Sequence, residues 1–137
     1  MKTLAGLLAG AAALAACRGQ RPAIVRIVEP AEDAVVSGPS VRVVLAAVGV
    51  EIAPAAELRR GTAHHHLFLD TDVTPPGDTI PAGVTGILHL GRGQTEFTFD
   101  SLAPGAHRII AVLADPWHVP LPNAATDTVT VTVPPRL

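Results

Sequence analysis

The chain has 137 residues, ten basic against twelve acidic, a formal net charge of −2 at pH 7 and a single cysteine. That length suits one domain with its own core. The charge balance lacks the basic stripe that a nucleic-acid partner requires, and a lone cysteine leaves no internal disulfide staple.

Met1, Lys2 and Thr3 form a short positive start, and Leu4 to Ala16 is entirely apolar or glycine. A charged beginning, a short apolar stretch and small residues before a cleavage point read as a secretory signal over residues 1–16. The apolar run is shorter than the roughly 20 residues of a membrane-spanning helix. The ending Leu14-Ala15-Ala16-Cys17 resembles the lipobox of bacterial lipoproteins. The resemblance implies cleavage before Cys17 and a diacylglycerol on its thiol, so that the chain is lipid-anchored. Arg18 stands where an aspartate would resemble an inner-membrane retention signal. In a host with two membranes, the expected location is therefore the outer membrane, facing the periplasm. Residues 17–22 then form the lipidated cysteine and a short tether, and residues 23–137 the folded domain. Beyond the signal the chain holds no methionine, lysine or free cysteine.

The remainder reads as all-β. Ile24 to Val28 is a strand, closed by Glu29-Pro30, and Val35 to Pro39 is a turn region. Val41 to Val48 is a long β-branched run and the second strand. Residues 49–62 form a loop with a possible helical turn at Ala55 to Leu58. Ala63 to Leu69 is the third strand, and residues 70–82, rich in Pro, Gly, Asp and Thr, form another loop. Thr85 to Leu90 and Thr95 to Asp100 flank Gly91-Arg92-Gly93-Gln94, which reads as a hairpin with a glycine turn. Ala103-Pro104-Gly105 turns the chain into a strand over Ala106 to Ala114. Thr126 to Val133 alternates threonine and valine, the period of a half-buried final strand. Seven short strands separated by turn signals predict a single immunoglobulin-like β-sandwich.

Three of the six histidines are consecutive, in Gly61-Thr62-Ala63-His64-His65-His66-Leu67-Phe68-Leu69-Asp70. In such a sandwich the connections after the second, fourth and sixth strands gather at one end. His64, His65, His66, His89 and His118 should therefore converge at one pole, with His107 at the other. Alternate residues of a strand share a face, so His64 and His66 project together, about 7 Å apart at Cα. Two imidazoles so placed can grip one ion, and His89 or His118 can complete the set. An imidazole-only site suits Zn²⁺, Cu²⁺ or Ni²⁺, and the missing methionine and thiol argue against soft Cu⁺. His65 has the opposite phase, shared with Leu67 and Leu69, and is equally suited to a hydrogen bond within the fold. His107 follows the Pro-Gly corner, where a residue of this kind serves the fold by bonding back to the corner.

Other constellations are poorer. Asp70, Asp72 and Asp78 lack the ligand spacing and glycine of an EF-hand loop. Ser101, His107 and Asp100 have no nucleophile elbow around the serine. Trp117, the only tryptophan, is suited to stack on a sugar or to pack over the loops.

The stretch Gly61 to Asp72 resembles the signature of an uncharacterised bacterial exported family, catalogued as domain of unknown function 4399. Ile80-Pro81, Leu88 to Glu96, Leu102 to His107 and Val112 to Asp115 fit the same family in order. The resemblance spans roughly Ala31 to Val133 and implies export and the sandwich fold, but no activity. This chain departs from the family at Arg92, where glycine is usual. It departs again around His118-Val119-Pro120, where Pro116, Trp117 and Leu121 replace residues that are often His or Asn.

Two roles follow. One is a non-catalytic, membrane-anchored envelope protein binding zinc or Cu²⁺ through its histidines. The other is an envelope module contacting a protein or glycan, in which the histidines are structural. An enzyme using a metal-activated water is disfavoured, because Asp115 is the only carboxylate expected near the histidines.

Overall fold

The computed structural model describes residues 21–137. The expected signal peptide and Cys17 lie outside these residues. Nine strands follow in chain order: β1 Ile24–Glu29, β2 Ala34–Val35, β3 Val41–Val48, β4 Glu51–Ile52, β5 Thr62–Leu69, β6 Ile87–Leu90, β7 Glu96–Phe99, β8 Gly105–Ala114 and β9 Asp127–Val133. A single 3₁₀ turn at Ala55–Glu57 occupies the loop where a helical turn was expected.

The strands form two sheets. The smaller has the order β1-β3-β7, and the larger β2-β9-β8-β5-β4, with β6 also paired to β5. Between them lies a core of Val25, Ile27, Val41, Val43 and Leu45 from one sheet against Leu67, Leu90, Ile109, Ala111, Leu113, Val129, Val131 and Val133 from the other. Alternation of buried and exposed residues along β3 and β9 puts every second side chain into that core. The chain is an immunoglobulin-like β-sandwich.

Two features depart from the sequence reading. The run Gly91 to Gln94 is not a hairpin turn. β6 pairs antiparallel with β5, and β7 with β3, so this run carries the chain from one sheet to the other. Turn chemistry makes a reversal possible, but burial selects the partner. Crossing over lets Leu90 pack in one sheet and Phe99 in the other. The second departure is two short parallel additions. Ala34–Val35 joins β9, and Glu51–Ile52 joins β5, in segments that read as turn and loop. Two-residue pairings are too short to carry a periodic signal.

The larger sheet is buried on both faces along β5, every residue of which is buried except Leu69. Ala63, His65 and Leu67 share the core-facing phase. His64, His66 and Phe68 face outward, beside Ala114, Val112 and Ile110 of β8. There Phe68, Ile110, Val112 and Ala114 form a second apolar cluster with Ile80 and Ile87. Ile80 belongs to the connection between β5 and β6. That connection is tied down where the Ile80 N–H donates to the carbonyl of His118 at 2.8 Å. This covering loop is why a strand that should show one wet face is dry on both.

Candidate metal centre

His64 and His66 reach the same outward face because they are two residues apart on β5. The β5–β6 register sets His66 directly opposite His89. His118 arrives from the turn after β8. Asp115 shapes that turn: its Oδ1 accepts the backbone N–H groups of Trp117 at 2.8 Å and Val119 at 3.0 Å. The Asp115 carbonyl also accepts the His118 N–H at 2.9 Å. The result holds His118 at φ +67°, in the left-handed region. His89 has room because residue 91 is glycine. A Cβ there would fall 2.2 Å from the imidazole Cε1 and 2.3 Å from its Nε2.

One ligand atom from each of His64, His66, His89 and His118 lies within 4.8 Å of all the others. The Nε2 atoms of His64 and His66 are 2.9 Å apart, and those of His89 and His118 3.2 Å. The six distances between ring centroids are 4.8, 4.9, 5.0, 5.0, 5.8 and 4.7 Å. Six similar edges define a tetrahedron. With metal–nitrogen bonds of about 2.0–2.1 Å, four imidazoles around one ion put ring centres ~5.2 Å apart in a tetrahedron. A square arrangement would instead give ~4.5 Å edges and ~6.4 Å diagonals at that bond length. The observed set is closer to the tetrahedron than to the square, and the ligand atoms, spread over up to 4.8 Å, would draw in to ~3.3 Å from one another on a shared ion.

The electrostatics suit lone-pair donation. Burial is the main cause that pushes His64 down to about 4, reinforced by His89 and His118 and opposed by Asp115. Burial also pushes His66 down to about 3, with the neighbouring imidazoles adding to it. His89 is lowered by the same two causes, burial first and then His118. At neutral pH His64, His66 and His89 are therefore uncharged, the form that binds metal. The Nδ1 atoms of His64 and His66 are buried and find no hydrogen-bond partner among the described residues. The four histidines together could therefore hold one divalent ion.

The remaining candidates separate cleanly. His65 stands apart from the four. It points into the sandwich, where Nδ1 lies 3.1 Å from the carbonyl oxygen of Gln94, and burial lowers its basicity. His107 is a corner residue at the opposite end of β5 and β8. Its Nδ1 is 2.6 Å from Asp70 Oδ2 and its Nε2 2.8 Å from the Ala103 carbonyl. Both partners are acceptors, so the corner favours the protonated ring, which donates from both nitrogens. The Ala103 carbonyl and then Asp70 hold its pKa above the ordinary value. Ser101 has no place in that pair, which leaves no hydrolytic triad. Asp70 and Asp72 bond to Arg108 rather than converging on a cation. Asp115 is committed to the turn that carries His118. Gly91 reads in sequence as a turn residue, whereas its role is to make room for the ring of His89.

Residues 43–134 match the family model described as Domain of unknown function (DUF4399). The match covers well over half of the chain, which therefore belongs to that family. No curated protein matches. Among solved structures, the chain is similar to the fibronectin(III)-like modules of Clostridium thermocellum CbhA. That likeness has 14% identity and a TM-score of 0.48, covering 80% of this chain and 96% of that one. It is also similar to the PKD domain of human KIAA0319, with 14% identity, a TM-score of 0.46 and coverage of 93% and 95%.

Proposed function

We propose that this protein is a lipid-anchored bacterial envelope protein that binds one zinc ion through His64, His66, His89 and His118, without catalysing a reaction on it. The observation that carries the metal reading is the convergence of four imidazoles, with one ligand atom from each within 4.8 Å of all the others. Four protein ligands saturate a tetrahedral ion. Closed sites of that kind are structural or carrier sites, whereas catalytic zinc keeps a position for water. The carboxylate nearest in sequence, Asp115, spends its Oδ1 on two backbone N–H groups. That supports a binding role over catalysis. Export and anchoring are supported by Lys2, the apolar run Leu4 to Ala16 and the lipobox-like Leu14-Ala15-Ala16-Cys17.

The test uses a tag-free domain of residues 18–137, which contains every described strand. Titration calorimetry with Zn²⁺ and Cu²⁺ is compared between the parent and His64→Gln/His66→Gln. Binding of one zinc per chain, lost in the double variant, is expected. Equal, weak binding in both proteins would refute the metal reading. Radiolabelled fatty-acid incorporation that disappears in Cys17→Ser tests the anchor separately.

A second reading has its own observation. Trp117 is exposed, with the Arg60 guanidinium 5.4 Å from its ring centre. Both line a groove of about 490 Å³ shared with Arg21, Thr62 and Asn123. An aromatic face beside polar groups is a platform for a sugar ring or a partner protein. Glycan-array binding lost in Trp117→Ala, in protein with its metal site intact, would support this second role.

A further inference from the structure

A cavity of about 560 Å³ opens beside the histidines. Ile80, Pro81, Ala82 and Ile87 wall it, and His66, His89 and His118 form one side of it. No carboxylate stands among the described residues that line it. We propose that this cavity takes a small monocarboxylate with a short apolar chain, whose carboxylate binds the metal in place of His118. The inference rests on the zinc reading of the four histidines.

Charge is the first argument. Four neutral imidazoles leave both positive charges of a divalent ion uncompensated in a site where His64 and His66 are essentially inaccessible to water. A buried charge is stabilised by a counter-charge. Asp115, the carboxylate whose charge reaches His64, does not line the cavity, so an anion entering there would add a counter-charge on the open side. The walls supply the second argument. Isoleucine, proline and alanine side chains favour an aliphatic tail over a polar one, and 560 Å³ accommodates one with space to spare.

Ligand lability is the third. His64, His66 and His89 rise from strands, but His118 sits on a turn at φ +67°. A non-glycine residue held there is strained. Its carbonyl is also bonded to Ile80, a wall of the cavity. Filling the cavity therefore acts on the segment that carries the most easily released ligand. The exchange is balanced as written: the carboxylate oxygen forms a bond to the metal, the His118 nitrogen–metal bond breaks, and the imidazole leaves neutral.

Cobalt(II) is the probe, because its visible absorption reports coordination directly. Co²⁺ is added to the 18–137 domain, followed by sodium butyrate. The four-histidine site should first give the intense absorption of a four-coordinate ion. Butyrate should then change it saturably. Ala82→Trp narrows the cavity without replacing a ligand, so it should retain Co²⁺ binding and weaken the butyrate response by about tenfold or more. His118→Ala removes the competing ligand and should tighten butyrate binding by about tenfold. A cobalt spectrum that butyrate does not move overturns the inference while sparing the metal reading. An equal response in the parent and Ala82→Trp overturns it too, since the carboxylate would then be reaching the metal from elsewhere. No four-coordinate cobalt spectrum at all refutes the metal reading itself, and this inference with it.

Discussion

The imidazole of His89 lies where a side chain on Gly91 would have to stand, with ring Cε1 only 2.2 Å from the position of that missing Cβ. Gly91 has no positive φ, so the glycine is required here by space and not by backbone conformation. Alanine at this position must push the ring out of the four-histidine set. Gly91→Ala should weaken zinc binding by about 10- to 100-fold, the range seen when a ligand loses its support. Calorimetry on a variant with an unchanged circular dichroism spectrum reads this directly. Unchanged affinity would mean that His89 is not a ligand.

Metal should stabilise the fold, because the ligands come from two strands of the larger sheet and the turn after a third. Free zinc at a hundredfold excess over its dissociation constant adds about 2.7 kcal/mol. At roughly 4 °C per kcal/mol for a domain of this size, melting should rise by about 10 °C. His64→Gln/His66→Gln should show no such rise. A melting temperature indifferent to zinc in the parent protein would argue that the histidines only pack the loop.

Asp115 is a positioning residue. It touches no ligand atom, but its Oδ1 orders the turn that presents His118. Asp115→Ala should cost about 1–3 kcal/mol of stability through two lost backbone acceptances and should also weaken zinc binding. Asp115→Asn keeps an acceptor oxygen and should restore most of both. A purely structural role would be revealed by an Ala variant that melts earlier yet binds zinc as the parent does.

The His107 corner sets a pH dependence distant from the histidine cluster. Its folded pKa is raised above the ordinary 6.5 by the Ala103 carbonyl and Asp70. The stabilising charge is then fully present below pH 6.5 and is lost as pH rises through the folded value. The stability difference between the parent and His107→Gln should therefore be largest in mild acid and shrink toward alkaline pH. Because Asp70 is about half exposed, the difference should be small, about 1 kcal/mol at most after screening. Denaturant melts at pH 5.5 and 9 read it, and a difference that grows with pH would contradict the imidazolium.

Much of this arrangement was legible in the residues, for identifiable reasons. The two-residue period of a strand alone puts His64 and His66 together and turns His65 away, and the structure keeps that division. The Pro-Gly corner announced the role of His107. Three things were not legible. The crossing of Gly91 to Gln94 between sheets depends on which sheet buries Leu90 and which buries Phe99, a tertiary choice that turn chemistry does not encode. The dryness of the His64 and His66 face depends on Ile80, in a segment whose composition marks only a loop. The selection of both His89 and His118 as partners required the strand register and the Asp115 turn, neither of which sequence spacing supplies.

His65, on the opposite phase of β5, should take no part in zinc binding. His65→Leu removes a ring whose Nε2 is buried without a partner among the described residues and whose Nδ1 lies against the Gln94 carbonyl. Zinc affinity should stay within about twofold of the parent, because this side chain faces the opposite side of the sheet. A large loss would place His65 in the site after all.

The most direct measurement is X-ray absorption at the zinc edge of the loaded 18–137 domain. Four nitrogen neighbours at about 2.0–2.1 Å, with the outer scattering of imidazole rings, are expected. Zinc held by fewer than three imidazoles, or no stoichiometric zinc to measure, would contradict the four-histidine centre.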